Sequence, residues 1–258
     1  MKKTYSPFWF VVCTHFLILL ICLFPPIMVA ESQNLLKAGN FSSETSGTTI
    51  PSGWEAYFFK KIARHTDYRI VEQDDNTVLR AESRASASGI IKKVSIDPEK
   101  FPVVEWRWKV SNILKKGDIT KKDGDDCAAR LYINFEYDPS GQSFMKRARY
   151  AAAKILYGEY PPGESICYIW GSRASEEKVI PNAYTDTVMM FAVQSAVSDT
   201  NEWVTERRDI LEDYSRSFKG TAHAISSIAI MSDSDNTGES VTAWYGDIIF
   251  SSGPSPEQ

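Results

Sequence analysis

Residues 103–135 constrain the fold most, because polar and apolar residues alternate at both ends of this stretch. The first run, V-V-E-W-R-W-K-V, puts Trp106 and Trp108 on one side and Arg107 on the other. The second, C-A-A-R-L-Y-I-N-F, places Arg130 among polar residues on one side. Such alternation is typical of strands with one face in a core. Because an unpaired buried guanidinium is costly, each arginine needs an ion pair or a ligand.

Residues 1–30 have the order of a secretory signal. Lys2 and Lys3 precede an apolar run over residues 8–24, and a small residue, Ala30, stands at the expected cleavage site. We expect a periplasmic or secreted bacterial protein that begins near residue 31. The alternative is an uncleaved signal, in which residues 8–24 anchor the chain to the inner membrane.

Charge and motifs narrow the function. The formal net charge is −4, and removing the two lysines of the signal makes the mature domain more acidic. We therefore expect no nucleic-acid partner, and membrane contact only through an uncleaved anchor. His65 and His223 have no ligand-spaced partner, and P-loop, dinucleotide and serine-hydrolase motifs are absent. No cofactor is expected apart from the calcium considered below.

Two cysteines, Cys127 and Cys167, lie beyond the signal, each within a strand-like run. In an oxidising compartment they could form a disulfide if their strands are neighbours. The alternative is a pair of buried thiols packed as small hydrophobic groups.

Many short strands with turns between them predict one mostly all-β domain over residues 31–250. We expect an antiparallel β-sandwich or jelly roll with one or two short helices, and a disordered tail at 251–258. A Q-D-D-N segment predicts a hairpin between strands at 68–72 and 77–81.

One inserted helix is predicted over residues 141–158. Phe144, Ala148 and Ile155 recur at helical spacing among four basic residues. We interpret the basic side as solvated. The alternative is a lid whose cations face an acidic ligand.

Six motifs occur in a fixed order: Trp106-Arg107-Trp108; Asp125-Asp126 with Ala129-Arg130; Tyr168-Ile169-Trp170-Gly171; Arg208-Asp209 with Asp213-Tyr214; Asp233-x-Asp235-Asn236-Thr237; and Tyr245-Gly246-Asp247-Ile248. Together they resemble the bacterial exported family known as domain of unknown function 3047. Residues 34–41 with 51–54, and the ending at 245–250, also resemble the two ends of jelly-roll carbohydrate-binding modules, which implies a galactose-binding-like sandwich. Fold similarity alone does not settle function.

The candidate ligand site is the polar face of the central sheet. Glycan recognition uses flat aromatic rings and planar multi-donor groups. The candidate residues are Arg107, Arg130, Tyr132, Asn134, Tyr168 and Trp170. The competing interpretation pairs Arg107 and Arg130 with Asp125, Asp126 or Glu136, so that both arginines brace the sheet.

A structural calcium is a second hypothesis. Asp233 and Asp235 alternate before Gly238, as in the first half of a calcium loop. The pattern then departs from the loop, because Trp244 stands where the bidentate glutamate belongs. The alternative is an ordinary hairpin connection.

Non-catalytic binding of a glycan or another envelope polymer is the leading functional hypothesis. The first alternative is a carbohydrate-active enzyme. A hydrolase would use two facing carboxylates from Asp125, Asp126, Asp209, Asp213 and Asp235. A polysaccharide lyase would use the arginines and tyrosines of the candidate site. The second alternative is a structural or assembly protein of the envelope.

Overall fold

The computed structural model describes residues 34–140, 142–157, 160–173, 179–195 and 199–253. The predicted signal at residues 1–30 and most of the predicted tail lie outside this range. Within it, no helix is long and apolar enough to cross a membrane.

Two β-sheets pack face to face. The six-stranded sheet contains β1 (Leu35–Gly39), β3 (Asp67–Gln73), β4 (Asn76–Arg84), β6 (Val103–Val110), β11 (Val204–Asp209) and β13 (Ser240–Ser251). The seven-stranded sheet contains β2 (Glu55–Tyr57), β5 (Ala87–Ile96), β7 (Ala129–Phe135), β8 (Ser165–Trp170), β9 (Val179–Asn182), β10 (Thr185–Gln194) and β12 (Ile225–Asp233).

The strand order runs β11-β6-β13-β4-β3 in the first sheet, with β1 also paired to β13, and β2-β5-β12-β7-β8-β10-β9 in the second. The predicted sandwich is therefore confirmed. Among the described strands the pair β8–β10 is parallel, so the second sheet is mixed and not purely antiparallel. The last strand extends to Ser251, which the sequence analysis assigned to the tail.

Aromatic side chains from both sheets meet in the core. Trp106 and Trp108 of β6 are almost fully buried, as the alternation predicts. Trp106 packs on Tyr168 with ring centroids 4.9 Å apart, and Trp108 packs on Trp170 at 5.8 Å. Removing one such buried tryptophan typically costs about 3–5 kcal/mol. These contacts fix β6 opposite β8.

A smaller apolar cluster lies outside this main core. It contains Cys127, Cys167, Ile169, Met190 and Ala192. Both cysteines are buried and free, so the structure has the two packed thiols and no disulfide between them. Burial raises the pKa of both thiols, to about 12 for Cys167, which keeps them protonated at neutral pH.

Within the described ranges, two α-helices interrupt the strands. The short helix α2 (Ile210–Ser217) begins where Asp209 accepts a hydrogen bond from the Glu212 backbone N–H at 2.9 Å, a standard N-cap. The longer helix α1 (Phe144–Tyr157) confirms the predicted insertion. Its basic residues Arg147, Arg149 and Lys154 are exposed, and so are the apolar residues Phe144, Ala148 and Ile155. Of the α1 residues whose side chains are described, Tyr150 is the buried one, and it stacks on Tyr137 at 3.9 Å.

The predicted hairpin is present between β3 and β4, and its two-residue turn is strained. Asp74 and Asp75 have φ angles of +52° and +60°. A two-residue turn with both φ values positive matches strand twist, but it favours glycine at its second position.

We expect Asp75→Gly to stabilise the protein by about 0.5–1 kcal/mol. Relief of about 1–2 kcal/mol of left-handed strain exceeds the entropic cost of about 0.5–1 kcal/mol for an added glycine. Thermal denaturation should show a raised Tm. Asp75→Ala is the control, since it shortens the side chain without relieving the strain. A Tm for Asp75→Gly at or below the wild-type value would contradict this account of the turn.

Candidate functional site

The Arg130 guanidinium is a buried structural centre. It lies on the outer side of the seven-stranded sheet yet is only 2% exposed. Its Nε and Nη2 each donate to one oxygen of Asp233 at 2.8 Å, and Nη2 also donates to Asp125 Oδ1 and the Asp125 carbonyl at 2.9 Å. Asp125 in turn accepts from Asn182. Arg130 thus joins β7, β12, β9 and the loop before β7, as the bracing interpretation requires.

Carboxylates crowd this centre. Burial raises the pKa of Asp233 to about 7, although the Arg130 cation opposes the shift. The nearby carboxylates of Asp126 and Asp125 raise it further. Arg130 therefore lies beside a buried carboxyl group whose pKa is raised, and its positive charge favours the ionised form of that group.

The residues proposed for calcium lie beside this centre. Oxygens of Asp126, Asp233 and Asp235 lie within 4.8 Å of one another, and carboxylate oxygens suit calcium. Asp233 would have to share its oxygens between Arg130 and the ion. Asp126 already accepts from the backbone N–H of Thr237 at 2.6 Å and from the side chain of Asn236. Calcium binding stays a prediction.

Tyr132 and Asn134 lie on the same face as Arg130, but both contact other residues of the sheet. Asn134 donates to Ser227 Oγ at 3.0 Å and accepts from Ser165 Oγ at 2.7 Å, so it ties β12, β7 and β8 together. It is 6% exposed. Tyr132 packs against the small apolar cluster around Cys167.

Tyr168 and Trp170 lie on the opposite face, so placing them beside Arg130 was wrong. Ile169 is the residue of β8 that pairs with Arg130, and its two neighbours therefore point inward. Tyr168 donates to Asp213 Oδ2 at 2.8 Å, and Arg208 also binds that carboxylate through two donors. Both aromatic residues are fully buried.

The carboxylates considered for catalysis also have structural partners. Asp125 binds Arg130, Asp126 holds the 236–237 backbone, Asp209 caps α2, and Asp213 binds Arg208 and Tyr168. These contacts account for four of the five acids without reference to a substrate; the fifth, Asp235, lies near Asp126 and Asp233.

Arg107 differs sharply from Arg130. It lies on the outer face of the six-stranded sheet, so the two arginines do not share one face. Its guanidinium lies 4.6 Å from the centroid of the Trp203 ring. Among the described residues, the Arg107 guanidinium makes this cation–π contact but forms no ion pair and no hydrogen bond. Since a guanidinium has five N–H donors, Arg107 has donors to offer a ligand.

A second cation lies beside it. The ammonium of Lys109 lies 5.1 Å from the ring centroid of Trp203 and 5.1 Å from that of Trp244. Both tryptophans are half-buried, so part of each ring faces solvent. We call Arg107, Lys109, Trp203 and Trp244 the cation–tryptophan face.

Gly246 shapes this face. A Cβ atom at this position would lie 2.5 Å from Cγ and 2.7 Å from Nε of Arg107. Such distances are too short, so any larger residue would displace Arg107. The register of β13 against β6 shifts between Tyr245 and Ile248, which places Gly246 at an irregularity of the strand.

A groove of about 240 Å³ adjoins Arg107. Its polar wall includes Asn76, Glu105, Thr205 and Asp247. Asp247 accepts from the Ser42 backbone N–H at 2.9 Å and from Ser42 Oγ at 2.7 Å, so its position is fixed. The groove therefore offers donors and acceptors next to the Arg107 side chain.

Residues 52–249 match the family described as protein of unknown function (DUF3047). The chain belongs to this family. Among curated proteins, none matches the sequence.

Solved structures with a related outline include three glycan-associated proteins. A variant of a family 29 carbohydrate-binding module is 9% identical, with a TM-score of 0.36 and coverage of 88% of this chain and 100% of that one. The endoglucanase cel12A from Rhodothermus marinus is 8% identical, with a TM-score of 0.39 and coverage of 86% and 99%. The CBM22-1 xylan-binding domain of Xyn10C from Paenibacillus barcinonensis is 12% identical, with a TM-score of 0.34 and coverage of 88% and 100%. Similarities this distant do not indicate a ligand for the DUF3047 chain.

Sequence reasoning missed most of the cation–tryptophan face. Trp244 lies between Ala243 and Tyr245, both buried, so the alternation of β13 carries a signal for an outward tryptophan. Trp203 precedes β11 and has no such pattern. Its position depends on a hydrogen bond from its Nε1 to Asp74 Oδ2 at 3.1 Å, across the sheet.

We expect the two arginines to differ in their effect on stability. Arg130→Ala should lower the free energy of unfolding by about 3–5 kcal/mol, because it leaves buried carboxylates unpaired. Arg107→Ala should lower it by less than about 1 kcal/mol, the range of a partly exposed cation–π contact. Urea denaturation of both variants measures the difference. Equal losses would show that Arg107 also braces the sheet.

Proposed function

We propose that the chain binds a polysaccharide without catalysis, through the cation–tryptophan face and the adjoining groove. The observation that carries the proposal is the contrast between the arginines. Arg130 directs its donors to buried acids, whereas the N–H donors of Arg107 have no hydrogen-bond acceptor among the described residues and lie beside the ring of Trp203.

The chemistry of this face suits a sugar. Aromatic rings such as Trp203 and Trp244 bury the apolar side of a pyranose ring, since tryptophan offers a large flat surface. Arg107 can donate to two hydroxyls or to a uronate carboxylate. Asn76 and Asp247 in the groove wall add a mixed donor and a fixed acceptor.

The setting of this binding is the cell envelope or the exterior. This part of the proposal rests on the N-terminal segment, whose order of basic, apolar and small residues matches an export signal. An envelope or extracellular glycan would then be the ligand available to the protein.

Isothermal titration calorimetry with soluble β-glucan, xylan and a uronate-containing polymer tests the proposal. We expect at least one polymer to bind the purified chain. Arg107→Ala and Trp244→Ala should each weaken that binding at least about ten-fold, since charged hydrogen bonds and ring contacts contribute about 1–3 kcal/mol each.

Two further variants sharpen the test. Gly246→Ala removes no ligand-binding atom but should displace Arg107, so it should weaken binding while Trp244 is intact. Tyr184→Ala is the matched aromatic control, because Tyr184 is 60% exposed and lies in the β9–β10 connection of the other sheet. Binding lost equally in Tyr184→Ala, or no binding to any polymer at millimolar sugar, would overturn the proposal.

A further inference from the structure

Helix α1 presents its apolar side to solvent. At 100° per residue, Phe144, Met145 and Ile155 fall with three alanines in a sector roughly 120° wide. The three large side chains are 81%, 76% and 88% exposed. Surface helices normally turn such a sector toward the core.

The orientation of α1 is fixed by its opposite side. Tyr150 is 5% exposed, and its ring stacks on Tyr137 with an interplanar angle of 20°. Its hydroxyl donates to the Pro162 carbonyl at 3.0 Å. The apolar sector therefore cannot turn inward without breaking these contacts.

The charge of α1 is opposite to that of the whole chain. The helix contains two lysines, two arginines and no acidic residue, in a chain of net charge −4. Arg147 and Arg149 flank the two edges of the apolar sector on the helical wheel. Among the described residues, none of the four cations forms an ion pair, and Lys154 lies over the ring of Tyr160 at 4.4 Å.

We propose that α1 is a docking helix for an anionic lipid surface. An exposed apolar sector flanked by lysine and arginine is the pattern of a helix that lies in the membrane interface. The large side chains would enter the acyl boundary, while the long basic side chains reach the headgroups. Each cation near an anionic surface adds about 1 kcal/mol.

Glycan binding is independent of this inference. Helix α1 belongs to the connection between β7 and β8 of the seven-stranded sheet, whereas Arg107 belongs to the six-stranded sheet. The failure of one proposal therefore leaves the other standing.

Vesicle co-sedimentation of the full chain tests the proposal, with phosphatidylcholine vesicles compared with phosphatidylcholine–phosphatidylglycerol vesicles. We expect binding at least ten-fold tighter to the anionic vesicles, and weaker binding as salt is raised. The double variant Phe144→Ser, Ile155→Ser should lose at least ten-fold, since it removes two exposed apolar side chains. The same loss is expected for Arg147→Glu, Arg149→Glu.

The control is Lys61→Glu, Lys219→Glu, which changes the net charge equally at exposed positions outside the helix. It should bind the anionic vesicles within about two-fold of wild type. The N-terminal apolar run is the same in every variant, so it cannot cause a difference between them. Circular dichroism verifies that each variant is folded. Equal binding to both vesicle types, unchanged binding of the Phe144/Ile155 variant, or an acidic protein cross-linked to α1 without vesicle binding would overturn the proposal.

Discussion

The buried pair between Arg130 and Asp233 is the interaction on which the seven-stranded sheet depends. Burying a guanidinium and a carboxylate costs several kcal/mol per ion, and the cost is offset only when the geometry is good. Here two parallel hydrogen bonds of 2.8 Å join the partners, and Asp125 accepts from the same guanidinium. The loop that carries Asp125 and Cys127 is thereby held against the outer side of the sheet.

Because Arg130 directs its donors to buried acids, the outer sides of the two sheets differ in the groups that they offer to a ligand. The outer side of the seven-stranded sheet carries an apolar cluster and buried polar groups. One of these polar groups is Asn134, which forms hydrogen bonds with Ser227 and Ser165. On the six-stranded sheet the equivalent side keeps Arg107 and two tryptophans partly open. Two arginines with similar strand contexts therefore have different roles, one set by desolvated acids and the other by aromatic rings.

The alternation of residues predicted the layers well and the partners poorly. It placed Trp106 and Trp108 in the core and Arg130 on the other side of its strand, because side-chain direction follows a period of two. It could not show that Arg107 belongs to the other sheet, since strand order depends on pairing between distant segments. The same limit hid Trp203, whose position depends on Asp74 in a hairpin far along the chain.

Helix α1 shows a different limit, because its period was predicted and the exposure of its apolar side was not. Hydrophobic periodicity identifies which residues share a face but not which neighbour covers that face. Tyr150 determines the orientation, because its ring stacks on Tyr137 and its hydroxyl donates a hydrogen bond. This one buried tyrosine therefore attaches the helix to the rest of the domain. Six apolar positions then remain outward at a cost in solvation that the fold itself does not recover. An anionic lipid interface would both cover these apolar side chains and attract the flanking cations, whereas a neutral glycan would not attract the cations.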